Sequence, residues 1–365
     1  MYLLIRYKDR ANYCRYKQKR YIFMFSLSFF SLFRLFSIPL RRFYLSNSQK
    51  KRSLWNVNIY HRKTKYKKRE YKMKKMIASV VLFTALNLGC TYAQEKFYER
   101  QGESLYTLTM GDVSMTIDAS AGGKILSYKC GEAEVISQSP MREAFGSTFW
   151  TSPQKEWNWP PVQEYDKMPY TVEEKENSLV MTSQVSPRLK YRIRKEFVVD
   201  PKDKAIVVTY SIINEAEETR KVAPWEITRV KNEGGIIFFD APVDNITPAG
   251  LMDFKSVDGA AFYLSDEAND NRKINADGKG WLAYKNEGLL MVKKFQDLDA
   301  SQPAPGEAEI QVYVNRGKTY IELESQGAYT ELKPGESLSW TVRWYLMADS
   351  SPVEASKALL KKVRK

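Results

Sequence analysis

The sequence predicts an all-β fold for residues 94–365, a large antiparallel β-sandwich with one short C-terminal helix. Nine short segments alternate apolar and polar residues or are rich in β-branched residues, which is typical of strands. Turn-forming residues separate them at regular intervals, as at 121–123, 200–203, 232–235 and 334–335. The predicted strands are 104–110, 113–118, 179–183, 205–213, 236–239, 288–293, 310–314, 318–325 and 337–346.

The amphipathic helix predicted after the last strand spans residues 353–364. The segment Ser350-Ser351-Pro352 precedes it, as expected for a helix start. Composition does not change and no repeat occurs across 94–365, which indicates one domain. In a sandwich of this kind the inward faces form the core, and the loops at the ends build any site.

Charge is divided unevenly along the chain. Residues 1–93 carry 22 Lys/Arg and 2 Asp/Glu, whereas 94–365 carry 35 Lys/Arg and 41 Asp/Glu. The net charge of +14 therefore comes from residues 1–93, and residues 94–365 are mildly acidic. The basic cluster at 61–75 is interpreted as part of that segment, and no nucleic-acid partner is predicted.

A secretory signal peptide is predicted at residues 73–93, with Met73 as the true start. Lys74 and Lys75 supply a positive region, and 76–88 is apolar. The small-residue site at 91–93 precedes Gln94, so cleavage there would export the remaining chain to the periplasm or the medium.

Two alternatives concern the same N-terminal segment. Leu88-Gly89-Cys90 resembles the end of a lipobox, which would make the protein a lipoprotein anchored at Cys90. Residues 21–40 form an apolar run of about bilayer length. The favoured interpretation is that 1–72 is a spurious or unstructured extension, and that the mature protein has no stable membrane span.

The segment 146–161 holds three of the eight tryptophans of the chain, Trp150, Trp157 and Trp159. Flat indole faces stack on the apolar faces of sugar rings, and the polar residues between them could bind hydroxyl groups. Alternatively, the tryptophans close one end of the sandwich as part of the core. Both interpretations stay open at this stage.

A second candidate segment, 223–229, places Glu226 between Trp225 and Ile227. On a strand, Glu226 would face away from both neighbours. Arg229 would also lie on the other face from Glu226 unless the strand bulges between them. A carboxylate at this position either lines a cavity or faces solvent.

A third segment, 319–326, alternates Glu322 and Glu324 with Ile321 and Leu323. The two acids therefore share one face of a predicted strand with the following amide. Such a face suits proton transfer or the binding of sugar hydroxyls, and a solvated outer face would have the same pattern.

Several short motifs occur in the order found in the aldose 1-epimerases of the galactose mutarotase-like superfamily. Leu323-Glu324-Ser325-Gln326 followed by Leu332-Lys333-Pro334-Gly335-Glu336 is similar to the C-terminal motif of that family. Gly122-Gly123-Lys124-Ile125 resembles its opening hairpin, and 210–214 its central strand ending in Asn. The resemblance spans 105–346. The tryptophan-rich loop and Pro224-Trp225-Glu226-Ile227-Thr228-Arg229 look more like a family of secreted domains of unknown function within the superfamily.

The resemblance implies a β-supersandwich and places Glu324 where the mutarotases keep the base that takes a proton from the anomeric hydroxyl. It also reveals a departure, because mutarotases use histidines as acid and sugar ligand, and the only histidine here is His61. The acid would instead be a carboxyl of raised pKa such as Glu226, or a Tyr or Lys such as Lys293. Histidine-dependent mutarotation is therefore not expected.

The sequence thus predicts an exported carbohydrate-binding or carbohydrate-modifying domain with its pocket on a concave sheet face. As an enzyme it would be an isomerase, lyase or hydrolase that uses carboxylates; the alternative is a non-catalytic envelope scaffold or sugar-sensing protein. No cofactor and no metal site are predicted, a carbohydrate is the expected partner, and the sequence leaves the oligomeric state open. Glu324 and Glu226 are the predicted base and acid, and the predicted ligand-binding residues are Trp150, Trp157, Trp159, Arg229 and Lys293.

Overall fold

A computed structural model describes residues 66–75, 97–138, 144–286 and 288–364. The chain divides into two units, Met1–Cys90 and Thr91–Lys365. In the first unit, residues 66–75 are helical and exposed. Most of the predicted signal peptide, the alternative anchor at Cys90 and the apolar run 21–40 lie outside the described residues. Among those described, no helix has the length and apolar character needed to cross a bilayer.

The second unit consists almost entirely of β-strands. Its helical elements within the described residues are 3-10 turns at Gln154–Glu156, Val243–Asn245 and Arg316–Lys318, and α-helices at Gln163–Asp166 and Lys357–Val363. The strands in chain order are β1 (Tyr98–Gln101), β2 (Leu105–Met110), β3 (Val113–Asp118), β4 (Lys124–Cys130), β5 (Ala133–Glu134), β6 (Ser147–Ser152), β7 (Thr171–Glu174), β8 (Leu179–Thr182), β9 (Tyr191–Asp200), β10 (Ala205–Asn214), β11 (Arg220–Val230), β12 (Ile236–Asp240), β13 (Phe254–Val257), β14 (Ala260–Leu264), β15 (Arg272–Ala276), β16 (Trp281–Asn286), β17 (Gly288–Lys294), β18 (Ile310–Val314), β19 (Ile321–Gln326), β20 (Thr330–Leu332) and β21 (Ser337–Asp349).

The strands form two antiparallel sheets. The first has the order β1-β2-β3-β4-β6-β11-β19-β18-β15, with β5 added beside β4 and β20 beside β11. The second has the order β13-β14-β12-β16-β17-β21-β10-β9-β8-β7. The prediction of an antiparallel sandwich with a short C-terminal helix is confirmed.

Burial along the strands shows which strands are covered on one face and which on both faces. In β9, buried and half-buried residues alternate strictly, as in a strand with one face on the core. By contrast, every residue of β6 and β19 is buried, as are the last nine residues of β11. These three central strands are therefore covered on both faces, and polar side chains on either face require partners within the protein.

Two elements begin three or four residues later than predicted. Strand β19 begins at Ile321 rather than residue 318, because Arg316–Lys318 forms a 3-10 turn in which Gly317 has a φ of 78°. The C-terminal helix begins at Lys357 rather than 353, because the hydroxyl of Ser356 accepts a hydrogen bond from the Leu359 amide and caps the helix.

Candidate functional site

The register of the central strands decides which side chains face each other. Trp225 on β11 lies opposite Trp150 on β6 and opposite Gln326 on β19. Ile227 lies opposite Glu324. Directly opposed residues of an antiparallel pair project from the same face of a sheet, so these side chains share one face. We call it the site face.

A cavity of about 390 Å³ opens on the site face, within the range of small-ligand pockets. We call it the first cavity. Its walls combine aromatic rings with charged and amide groups: Ala144, Trp150, Gln154, Trp159, Trp225, Lys273, Tyr313, Asn315, Tyr320, Glu322 and Glu324.

Glu324 is the most unusual group in the first cavity. Its Oε2 accepts hydrogen bonds from Trp225 Nε1 at 2.9 Å and from Lys273 Nζ at 3.0 Å. Its Oε1 is buried and has no hydrogen-bond partner among the described residues. Burial raises the pKa of Glu324 to about 7, although the charge of Lys273 opposes this shift. The carboxyl can therefore gain or lose a proton near neutral pH.

Lys273 is the cationic partner of Glu324 and was not predicted from the sequence. It lies on β15, with its Nζ 4.7 Å from the centre of the Trp225 ring. Lys273 is opposite Tyr313 on β18, which is opposite Glu322 on β19, so strand pairing brings three sequence-distant polar groups to one wall. The sequence predicted strands at 310–314 and 318–325, but it predicted neither β15 nor the register that joins the three strands.

Arg229 lies on the site face, as strict alternation predicts, and is almost fully buried beneath the first cavity. Its Nη2 pairs with Glu322 Oε1 at 2.8 Å, and its guanidinium carbon lies 5.8 Å from the Trp150 ring centre and 5.5 Å from that of Tyr320. Arg229 thus holds a carboxylate and two aromatic walls in place.

The three tryptophans of the predicted loop have different surroundings. Trp159 is 60% exposed and Trp150 is 5% exposed, and both line the first cavity. Trp157, at 2% exposure, is absent from its walls; it packs against Trp150 and donates its Nε1 hydrogen to the carbonyl of Thr151 at 2.8 Å. Two members of the segment therefore line a cavity, whereas Trp157 belongs to the core.

Asp166 fixes the orientation of Trp150. Its Oδ1 accepts hydrogen bonds from Trp150 Nε1 at 2.9 Å and from the Thr148 hydroxyl at 2.8 Å, and its Oδ2 pairs with Lys124 Nζ at 3.0 Å. Burial opposes ionisation of Asp166, but the charge of Lys124 and the hydrogen bonds lower its pKa. This carboxylate was also missed in the sequence.

Glu226 and Lys293 were both predicted for the pocket. Glu226 lies on the opposite face of the sheet, where it pairs with Lys293 from β17 of the second sheet, and neither side chain has any exposure. The Glu226 carboxylate accepts hydrogen bonds from Lys293, from Thr228 and, at 2.6 Å, from Ser147. Lys293 Nζ also donates to the carbonyl of Leu323 at 2.9 Å, and burial lowers its pKa. The structure therefore separates this pair from the first cavity, because alternation along β11 turns Glu226 inward.

Solved structures share this arrangement of strands. A proposed aldose 1-epimerase from Klebsiella pneumoniae superposes with a TM-score of 0.50 and 13% sequence identity, over 73% of this chain and 86% of that protein. The chain has the galactose mutarotase-like fold. A galactose mutarotase-like protein from Lactobacillus casei gives a TM-score of 0.48 at 12% identity, over 67% of this chain and all of that one. No protein-family model and no curated protein matches this chain.

The resemblance read from the sequence is thus confirmed at the level of the galactose mutarotase-like fold. Among the described residues no histidine lines the first cavity, and the single histidine of the chain, His61, lies outside them. Around Glu324, the groups of the first cavity that can donate a proton are Lys273, Tyr313 and Tyr320. Burial raises the pKa of Tyr320 to about 12, so its hydroxyl keeps its hydrogen at neutral pH.

Proposed function

We propose that this protein binds a carbohydrate in the first cavity and that Glu324 contacts a sugar hydroxyl through its free oxygen. The observation that carries the proposal is that Glu324 lines the first cavity and that its buried Oε1 has no partner in the described protein. A buried carboxylate oxygen without a donor is costly, and a ligand hydroxyl would supply the missing hydrogen bond.

The walls of the first cavity favour a sugar over other small ligands. The walls include the indole rings of Trp150 and Trp159 and the charged groups of Lys273 and Glu322. Sugars combine apolar ring faces with a rim of hydroxyl groups, so they match a cavity with aromatic and polar walls. The galactose mutarotase-like fold of the chain is consistent with this ligand class.

As an enzyme, the protein would use Glu324 as its base or acid. A pKa of about 7 suits proton exchange with a sugar hydroxyl at neutral pH. Lys273, which touches Glu324, would stabilise its ionised form and is placed to return a proton to the sugar. The reaction class is isomerase, lyase or hydrolase without a catalytic histidine.

One observation favours a second candidate, a non-catalytic sugar sensor or envelope scaffold. Glu226 lies on the other face of the sheet from Glu324, so the pair of carboxylates expected for glycosidic cleavage does not converge on one ligand. Glu322 remains on the site face, but it is engaged by Arg229. A protein that binds sugar without catalysing a reaction would use the same walls of the first cavity.

We also propose that the mature protein is exported, on the basis of the signal peptide predicted at residues 73–93. Cleavage after Ala93 would release it to the periplasm or the medium, and lipid modification at Cys90 would tether it to a membrane instead. Mass spectrometry of the protein purified from its own cells distinguishes the two by the mature N-terminus.

The test of the sugar site is a thermal-shift screen of the purified protein against neutral and acidic monosaccharides and oligosaccharides. A ligand that binds the folded state raises the melting temperature. We expect Glu324→Gln to abolish the shift, and product analysis of the binding sugar then separates an enzyme from a sensor.

Glu309→Gln is the matched control for this screen. Glu309 is also buried, burial raises its pKa to about 7, and it accepts a hydrogen bond from the Gly280 amide outside the first cavity. The Glu309→Gln variant should keep the sugar-dependent rise in melting temperature. A folded wild-type protein that shows no shift with any sugar would argue against the proposed function.

A further inference from the structure

A second cavity, of about 370 Å³, adjoins the first on the site face. The two cavities share Gln154 and Lys273 as lining residues, so they are neighbours. The walls of the second cavity contain no aromatic ring and are formed mainly by amides, a hydroxyl and a carboxylate: Gln154, Thr247, Pro248, Lys273, Asn275, Gly306, Glu307 and Gln311.

Hydrogen bonds between side chains fix the floor of the second cavity. Gln311 Nε2 donates to Asn275 Oδ1 at 2.8 Å and to Glu307 Oε2 at 3.0 Å. Gln311 Oε1 in turn accepts a hydrogen bond from Gln326 Nε2 at 3.0 Å. Both hydrogens and the oxygen of the Gln311 amide are therefore used within the protein, and the amide cannot rotate without losing bonds.

This network leaves one amide group without a partner among the described residues. Because Asn275 Oδ1 is held by Gln311, its Nδ2 group is directed away from that partner, and it makes no hydrogen bond to any described residue. Glu307 Oε1 accepts a hydrogen bond from the Gln154 backbone amide at 3.0 Å, which anchors the loop between the cavities. Asn275 therefore offers an amide donor held in place by Gln311, and Thr247 adds a hydroxyl in the same cavity.

We infer that the second cavity binds a further sugar unit, so that the ligand is an oligosaccharide rather than a free monosaccharide. The inference rests on the proposed function, with one unit against the tryptophans and Glu324 and the next among the amides. A polar wall of fixed amides matches a ring that offers hydroxyl groups on all sides. Lys273, at the boundary, is placed to contact both units.

The experiment is isothermal titration calorimetry with matched pairs of sugars, namely cellobiose with glucose, lactose with galactose, and chitobiose with N-acetylglucosamine. We expect at least one disaccharide to bind about tenfold more tightly than its monosaccharide, the gain from several added hydrogen bonds and excluded water.

Asn275→Ala tests whether the second cavity provides that gain. One lost hydrogen bond should reduce the ratio of disaccharide to monosaccharide affinity about threefold to tenfold. Thr247→Val, which removes a hydroxyl from the exposed rim of the same cavity, should change the ratio in the same direction. Gln184→Ala, an exposed amide outside both cavities, is the control and should leave it unchanged.

The outcomes separate this inference from the proposed function. Equal affinities for disaccharides and monosaccharides, with binding still lost in Glu324→Gln, would overturn the second sugar position and leave the first in place. A tenfold preference that neither Asn275→Ala nor Thr247→Val reduces would also overturn it. No binding of these six sugars, together with no thermal shift for any sugar of the wider screen, in a folded wild-type protein would overturn both.

Discussion

Glu226 and Glu324 lie on adjacent strands of one sheet, yet their carboxylates project from opposite faces. Glu324 is opposite Ile227, and Glu226 is opposite Ser325, so the two acids are offset by one residue in the pairing. A one-residue offset reverses the face of a side chain in a strand. Glu324 consequently faces the first cavity, whereas Glu226 is enclosed in the interior with Lys293 as its counter-charge.

This enclosure predicts that Lys293→Met will be strongly destabilising. The substitution leaves the Glu226 carboxylate buried without a cation, and loss of one partner of a buried ion pair costs about 3–5 kcal/mol in the free energy of unfolding. Urea denaturation monitored by circular dichroism measures this change.

The double variant Glu226→Leu/Lys293→Met is the control for that measurement. Replacing a buried ion pair with apolar residues of similar size is often neutral or stabilising, so most of the lost stability should return. A Lys293→Met protein of wild-type stability that no longer binds sugar would contradict the structural role and support the one predicted from sequence.

The sequence was sufficient to predict the fold class and the shared face of Glu322, Glu324 and Gln326, because both depend on alternation within single segments. It did not predict the contact between Lys273 and Glu324, which are 51 residues apart and meet only through the pairing of β15, β18 and β19. Register between strands distant in sequence depends on tertiary packing, which a single-sequence pattern does not contain.

The surroundings of the single tryptophans in the segment 146–161 could not be predicted from the sequence either. Trp157 and Trp159 are separated by one residue, yet one is enclosed and the other is 60% exposed at the rim of the first cavity. Composition predicted that this segment contains either ligand-binding or core tryptophans. Only the path of the loop determines which tryptophan is enclosed and which lines the cavity.

A matched pair of substitutions therefore distinguishes the two tryptophans. Trp159→Ala removes an exposed ring, so we expect the free energy of unfolding to change by less than about 0.5 kcal/mol. It should weaken sugar binding about tenfold, because one stacking surface is lost. Calorimetric titration of the binding sugar and urea denaturation measure the two effects.

Trp157→Ala should give the reverse result. Truncation of a buried Trp creates a cavity and costs about 3–5 kcal/mol in stability. At temperatures where this variant stays folded, its sugar affinity should be closer to that of the wild type than the affinity of Trp159→Ala. If Trp159→Ala binds sugar with wild-type affinity, the exposed ring is not part of the ligand site.

The raised pKa of Glu324 predicts how stability depends on pH. A Glu in the unfolded chain titrates near pH 4.3, whereas burial raises the pKa of folded Glu324 to about 7. Between these values the folded state binds more protons than the unfolded state, so its contribution to stability is present below about pH 4.3 and is lost as the pH rises to about 7. The full loss is on the order of 3 kcal/mol.

Glu324→Gln keeps the shape of the neutral carboxyl but cannot ionise, so its stability should fall less than that of the wild type between pH 5 and pH 8. Urea denaturation at four pH values across this range measures the difference.

The Glu309→Gln variant should show a similarly reduced dependence of stability on pH, because burial also raises the pKa of Glu309 to about 7. Only Glu324→Gln should also abolish sugar binding, since Glu309 lies outside the walls of both cavities. A Glu324→Gln profile parallel to that of the wild type would mean that Glu324 is already ionised at pH 5, and that Lys273 outweighs burial in setting its pKa.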